Sequence, residues 1–202
     1  MSSAHVLVPG SRFSRWADNF EGRHGATSLS VVDGGLRGLA EDGSMFTAVL
    51  PFAAPYGGEA DVAAFLADAT APGEWGVLLV RKGGFAVARL AGVQMVEHKI
   101  GQRHVQGRTK AGGQSQQRFA RRRDNQARQA YEAAADHAAR ILRPGLLVTG
   151  GDHGAVDEVL ADQRLGRMSV VGPWLPVPDP RRAVLDQAIL DAQAIGVDVT
   201  NA

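Results

Sequence analysis

Hydrophobic positions in the first seventy residues fall into short groups separated by turn residues. Val6 to Val8 is a brief apolar start, closed by Pro9-Gly10. Phe13, Trp16 and Phe20 follow at spacings of three and four, which puts their rings on one face of a helix. Leu29 to Val32 and Met45 to Phe52 read as strands, set apart by the turn signals Asp33-Gly34-Gly35 and Glu41-Asp42-Gly43. Val62 to Ala69 reads as a helix, and Pro72-Gly73 then breaks the chain. Trp75 to Val80 and Phe85 to Val93 are apolar, β-branched runs joined by Lys82-Gly83-Gly84, the pattern of a hairpin. Val93 to His98 carries it toward a third strand.

From Ile100 to Ser115 the pattern stops. The stretch IGQRHVQGRTKAGGQS holds four glycines, three glutamines and four basic residues, His104 included, and almost no large apolar side chain. With nothing to bury, it reads as a loop that projects from the core, poorly ordered in the free protein from about Gln102 to Gly113. A long helix is predicted next, about Gln116 to Leu142. Phe119, Ala127, Ala130, Ala134, Ala138 and Ile141 form its buried stripe, and Arg143-Pro144-Gly145 ends it. Leu146 to Thr149 then reads as a strand, Val156 to Leu165 as a helix, Ser169 to Trp174 as a strand and Arg182 to Ala194 as a closing helix. Strands alternating with helices imply an α/β fold, a mixed β-sheet with flanking helices, preceded by a small N-terminal α+β extension. The expected division is residues 1–72 and 73–202.

Composition narrows the class. Of 202 residues, 45% are hydrophobic and 21% charged, enough apolar content for a sizeable core, so the chain as a whole is not disordered. No run of 18 apolar residues suggests a membrane span, and the first ten residues lack the basic and apolar regions of a signal peptide. The absence of cysteine removes disulfides, thiolate metal sites and cysteine nucleophiles, and fits a cytoplasmic protein. The net charge of +1 conceals a strong asymmetry. Between Arg81 and Arg143 there are 14 Lys and Arg against 4 Asp and Glu, whereas the rest of the chain has 8 against 17. A basic block between acidic flanks points to an anionic partner, nucleic acid first. Nineteen of the 22 cations are Arg, whose planar fork grips phosphate and stacks on bases. His98, His104, His137 and His153 lack metal-ligand spacing, so neither a metal nor another cofactor is expected. Gly150-Gly151-Asp152-His153-Gly154 lacks the Lys and Ser/Thr of a phosphate-binding loop and reads as a strand-to-helix turn capped by Asp152.

The sharpest local feature is Gly112-Gly113-Gln114-Ser115, followed by Arg118-Phe119-Ala120-Arg121-Arg122-Arg123. Two glycines permit positive φ and close backbone approach to another molecule, and Gln114 offers both donor and acceptor beside a helix N-terminus, where backbone N–H groups favour anions. This run resembles the middle domain of eukaryotic and archaeal class I peptide-chain release factors: a Gly-Gly-Gln loop, Ser, then an Arg-Phe-x-Arg-x-Arg helix start. His98-Lys99 is similar to that family's His-Lys at the end of the strand entering the loop. The resemblance covers about residues 75–195 and implies a ribonuclease H-like topology. It departs at Lys110-Ala111, where the release factors more often have Gly-Arg, and the chain has no room for a codon-reading domain or a domain for the partner GTPase. A stand-alone domain of this kind resembles the short actinobacterial type of the Vms-like peptidyl-tRNA hydrolases of ribosome quality control.

That resemblance implies a codon-independent peptidyl-tRNA hydrolase that frees nascent chains on stalled ribosomal large subunits. Gln114 would position the attacking water, and Gly112 and Gly113 would shape the loop. His98, Lys99, Arg103, Arg108, Lys110, Arg118, Arg121, Arg122 and Arg123 would hold ribosomal RNA or the tRNA. The implied partners are the large subunit, peptidyl-tRNA and ribosomal RNA, with no membrane, no nucleotide and a monomeric state. Two alternatives stand beside it: an endonuclease trimming the tRNA 3′ end, and a non-catalytic RNA-binding module.

Overall fold

Ten strands and five helices follow one another along the described residues of the computed structural model, which are 2–102 and 114–202, the side chains of 114–127 excepted. In chain order they are β1 (Ser2–Val8), α1 (Gly10–His24), β2 (Thr27–Val32), β3 (Gly35–Ala40), β4 (Met45–Val49), α2 (Val62–Asp68), β5 (Glu74–Arg81), β6 (Gly84–Ala91), β7 (Gln94–Gln102), α3 (Gln114–Ile141), β8 (Gly145–Gly151), α4 (His153–Leu160), β9 (Met168–Leu175), α5 (Arg182–Ala192) and β10 (Ile195–Asn201). They form two compact units, residues 1–71 with 189–202, and residues 72–188.

The first unit is an antiparallel sheet in the order β1-β10-β4-β3-β2. Ser2 lies opposite Asn201, and Val197 opposite Ala48. Ile195, Val197, Phe46, Ala48 and Leu36 join Phe13 and Phe20 of α1 and Phe65 of α2 in one core. The spacing of Phe13, Trp16 and Phe20 does bring their rings together: Trp16 and Phe20 both meet Phe46 edge-on, with centroids 5.2 and 5.0 Å apart. Gly38 leaves room for Phe46, whose ring a Cβ on β3 would strike.

Several expectations are corrected here. The strand read as Met45 to Phe52 ends at Val49, and Pro51–Ala53 forms a 3-10 turn with Phe52 at φ 61. Proline has no N–H to give a ladder. Three strands, β1, β3 and β10, had not been anticipated at all. The C-terminal residues were expected in the second part of the chain, yet β10 sits between β1 and β4 in the first sheet.

The second unit is a mixed sheet in the order β7-β6-β5-β8-β9, with β5, β8 and β9 parallel and β6 antiparallel to both neighbours. In chain order the strands run third, second, first, fourth, fifth, the ribonuclease H-like arrangement the sequence implied. Leu78, Val80, Phe85 and Val87 of the sheet pack with Ala134, Ala138 and Ile141 of α3 and with Val156 and Val159 of α4. Alanine at the helix stripe lets α3 lie close on the strands. Ala130 is buried with them, whereas Phe119 and Ala127 fall outside the described side chains. The helix read as Val156 to Leu165 is two pieces. α4 stops at Leu160, and Asp162 caps a separate 3-10 turn, Gln163–Leu165, by accepting from the Arg164 N–H at 2.9 Å.

Candidate functional site

β7 is an edge strand, paired along its length to β6, and it leads to the Gly-Gly-Gln segment. The loop had been expected to begin at Ile100. Instead β7 continues to Gln102, which lies opposite Gly84. Gly101 makes this extension possible, because a Cβ there would run into the Phe85 ring.

Side chains alternate along a strand, so His98 and Lys99 face opposite ways. Lys99 lies opposite Val87, a member of the core that α3 covers. His98 lies opposite Ala88, and its Nε2 accepts a 3.2 Å hydrogen bond from Arg182 Nη1 on α5. Arginine can only donate, so that contact puts the His98 proton on Nδ1. Arg182 is itself held by both carboxylate oxygens of Asp186, at 2.8 and 3.0 Å. His98 thus clips the strand that enters the loop to α5. Sequence reasoning missed Arg182 and Asp186; their spacing of four on a helix signals a pair, but nothing in it signals His98.

Gln114 is the first residue of α3, two positions before the predicted start. The first N–H groups of any helix lack partners within it, so this terminus suits an anionic or oxyanionic atom. Arg118, Arg121, Arg122 and Arg123 fall within the first turns of α3, their side chains outside the description. Gly112, Gly113, Arg103, Arg108 and Lys110, and the predicted loop order, lie outside the described residues.

The far half of α3 is well anchored. Arg164 reaches Asp136 at 2.7 Å and Asp162 at 2.6 Å, tying the helix to the turn after α4. These bonds hold Asp162 down at about 2 and push the Arg164 guanidinium up. Arg143 Nη1 donates to the Arg140 and Leu142 carbonyls, both at 3.1 Å, and satisfies the helix end. His137 stacks on Phe85, centroids 5.5 Å apart. A cleft of about 280 Å³ between α3 and α4 is lined by Arg128, Tyr131, Glu132, Glu158 and Asp162 among others. Burial, then Asp152 and Glu158, push the Tyr131 phenol up.

The glycine-rich turn after β8 is structural. Asp152 Oδ1 accepts from the Ala155 N–H at 3.3 Å, as its capping role predicted. A Cβ on Gly150 would strike the Leu175 carbonyl, and one on Gly151, at φ 105, the Val80 carbonyl. Among the described residues no three His, Asp or Glu side chains gather as metal ligands do. No described helix is long and apolar enough to cross a membrane.

A mixed five-stranded sheet packed against α3 and α4, with Gln114 as the first residue of α3, defines a release-factor-like α/β domain. The sequence model of the Actinobacteria/chloroflexi VLRF1 release factor family matches residues 73–198. The chain belongs to that family, and a release-factor role on the ribosome comes with membership. No curated protein matches it.

Proposed function

We propose that the protein hydrolyses the ester of peptidyl-tRNA on large ribosomal subunits whose translation has stalled, without reading a codon. The observation that carries this reading is the sequence Gly112-Gly113-Gln114, whose glutamine is the first residue of α3, in a chain of a release-factor family. The ester is already activated. Water adds to its carbonyl carbon and the bond to the tRNA 3′-oxygen breaks. The peptide leaves as a carboxylate, and the 3′-oxygen takes up a proton to become a hydroxyl. Glutamine does not titrate near neutral pH, so Gln114 acts by orienting the water through its amide and by offering its backbone N–H to developing negative charge. Gly112 and Gly113 supply the side-chain-free approach that a narrow, RNA-lined centre demands. Arg118, Arg121, Arg122 and Arg123, with Arg103, Arg108 and Lys110, neutralise phosphates around that approach. The ribosome supplies the rest of the site. The protein works as a soluble cytoplasmic monomer.

The test is incubation with large subunits carrying labelled peptidyl-tRNA, with released peptide and tRNA length read together. Wild-type protein releases peptide and leaves full-length tRNA. Gln114→Ala lowers the release rate by about 100- to 1000-fold, the usual cost of losing one preorganised donor, with an unchanged melting temperature. Release by Gln114→Ala within a few-fold of wild type would remove the catalytic assignment. Peptide leaving on a shortened tRNA would replace hydrolysis with cleavage of the tRNA end.

A further inference from the structure

An edge strand leaves one row of N–H and C=O groups unpaired, and proteins guard such rows with charge, proline or a bulge. The edge strands of the two sheets differ in this respect. β7 carries Glu97, His98 and Lys99 and slips register against β6 between Arg89 and Leu90. β9 contains Pro173 and slips against β8. β1 holds His5, bound to the Asp198 carboxylate at 2.8 Å, and Ser2 to Val6 are exposed on both of its faces. β2, TSLSVV, has no charge and no proline, and its register against β3 runs unbroken from Thr27 opposite Ala40 to Val32 opposite Gly35. Leu29 and Val31 pack against the core of the first unit yet stay only half-buried, at the margin of the sheet.

One bond shows which main-chain groups face the free side of β2. Glu41 N–H donates to the Ala26 carbonyl at 3.2 Å, so the residues just before Thr27 and just after Ala40 form a bonded pair. Bonded and non-bonded pairs alternate along an antiparallel ladder. Ser28, Ser30 and Val32 therefore point their main-chain groups at β3, and Thr27, Leu29 and Val31 point theirs outward. Thr27 agrees, since its N–H donates to Glu21 Oε1 at 3.3 Å instead of to β3. Among the described residues, nothing bonds the outward groups of Leu29 or Val31. Carboxylates flank this row, Glu21 at the Thr27 end and Asp33, exposed in the turn, just beyond Val32. The first unit as a whole has 4 Arg and no Lys against 10 Asp and Glu. That charge repels phosphate and suits a cationic partner.

We propose that β2 is a docking edge that takes an extended, cationic segment of a partner protein as a sixth strand of the first sheet. Leu29 and Val31 each offer it an N–H and a C=O. Its side chains alternate, apolar on the face of Leu29 and Val31 and polar on the face of Ser28 and Ser30, and Lys or Arg at its ends meets Glu21 and Asp33. In strand addition of this kind main-chain bonds give affinity and side chains give selectivity. The inference concerns the first unit and stands apart from the hydrolase reading.

The probe is a fluorescent peptide of alternating Thr and Val with two lysines at each end, and its twin carries glutamates in place of the lysines. Both are titrated with the full chain and read by anisotropy. Wild-type protein should bind the lysine peptide and not the twin. Val31→Pro removes an outward N–H without touching the β3 ladder, and should weaken binding about tenfold or more. Glu21→Gln with Asp33→Asn removes both charges, keeps an acceptor for the Thr27 N–H, and puts at position 33, where φ is 50, a residue that tolerates it. This pair should weaken binding roughly 2- to 30-fold, the worth of two exposed ion pairs. Melting curves establish that each variant is folded, and the charge pair decides the matter if Val31→Pro is not. No binding of the lysine peptide by wild type, equal binding of the twin, or unchanged affinity in either folded variant overturns the proposal. A wild-type chain that sediments as a dimer, and as a monomer once Val31→Pro is made, would give the edge to a second copy and would also overturn it.

Discussion

At the scale of single residues, Gly101 lets β7 stay paired with β6 as far as Gln102. Its missing Cβ is the space that the Phe85 ring occupies. Gly101→Ala should therefore cost about 1–3 kcal/mol, as overpacking of a filled site does, read as a lower melting temperature. Adding Phe85→Leu should recover part of the loss, because the clash is with the ring. A Gly101→Ala chain that melts with wild type would show that the strand shifts at no cost. The helix that begins at Gln114 was legible in the sequence to within two residues, and Asp152 was legible because a cap acts on its immediate neighbours. The His98–Arg182 contact was not. The two residues stand 84 apart in sequence, and only the sheet order and the course of α5 bring them together.

Among the elements, α3 is held firmly at its C-terminal half. Arg164, bridging Asp136 on the helix and Asp162 on the turn after α4, is the clamp. Asp162 titrates at about 2 in the folded chain against an ordinary 3.8. A depressed carboxylate adds stability that is fully present above the unfolded value and is lost as the pH falls toward the folded one. The wild type should thus lose stability more steeply than Asp162→Asn between about pH 4 and pH 2, measured by urea midpoints across that range. Parallel profiles would mean that the clamp does not stabilise the fold. Helix α3 was readable from its alanine stripe, and the β5–β6 hairpin from its two apolar runs. Strand β3 was hidden because GLRGLA, with two glycines and an arginine, lacks the β-branched density of a strand, and Gly38 is there for the Phe46 ring. Strand β10 carried a usable signal, Ile195, Val197 and Val199 at a period of two, but its partners lie in the first fifty residues.

At the scale of the whole molecule, the sequence showed a basic block between acidic flanks, and the fold gives the second flank a structural task. β10 separates β1 from β4 and supplies Ile195 and Val197 to the core of the first unit. Without it β1 has no neighbour in the sheet. A chain ending at Ala194 should therefore leave residues 1–71 open to proteolysis and lose antiparallel signal in far-ultraviolet circular dichroism. Protection of that segment equal to wild type would show that β1 and β4 can pair directly.

The pairing of residue 2 with residue 201 also sets when, during synthesis, the first sheet can be completed. About 145 residues separate β4 from β10, and at synthesis rates of roughly 5–20 residues per second the first four strands wait roughly 7–30 s for the strand that joins them. Through that interval their apolar faces and open edges remain available to chaperones and to one another. The first unit can close only after residue 201 has left the exit tunnel. A nascent copy that stalls short of β10 leaves β1 without its partner and the sheet incomplete.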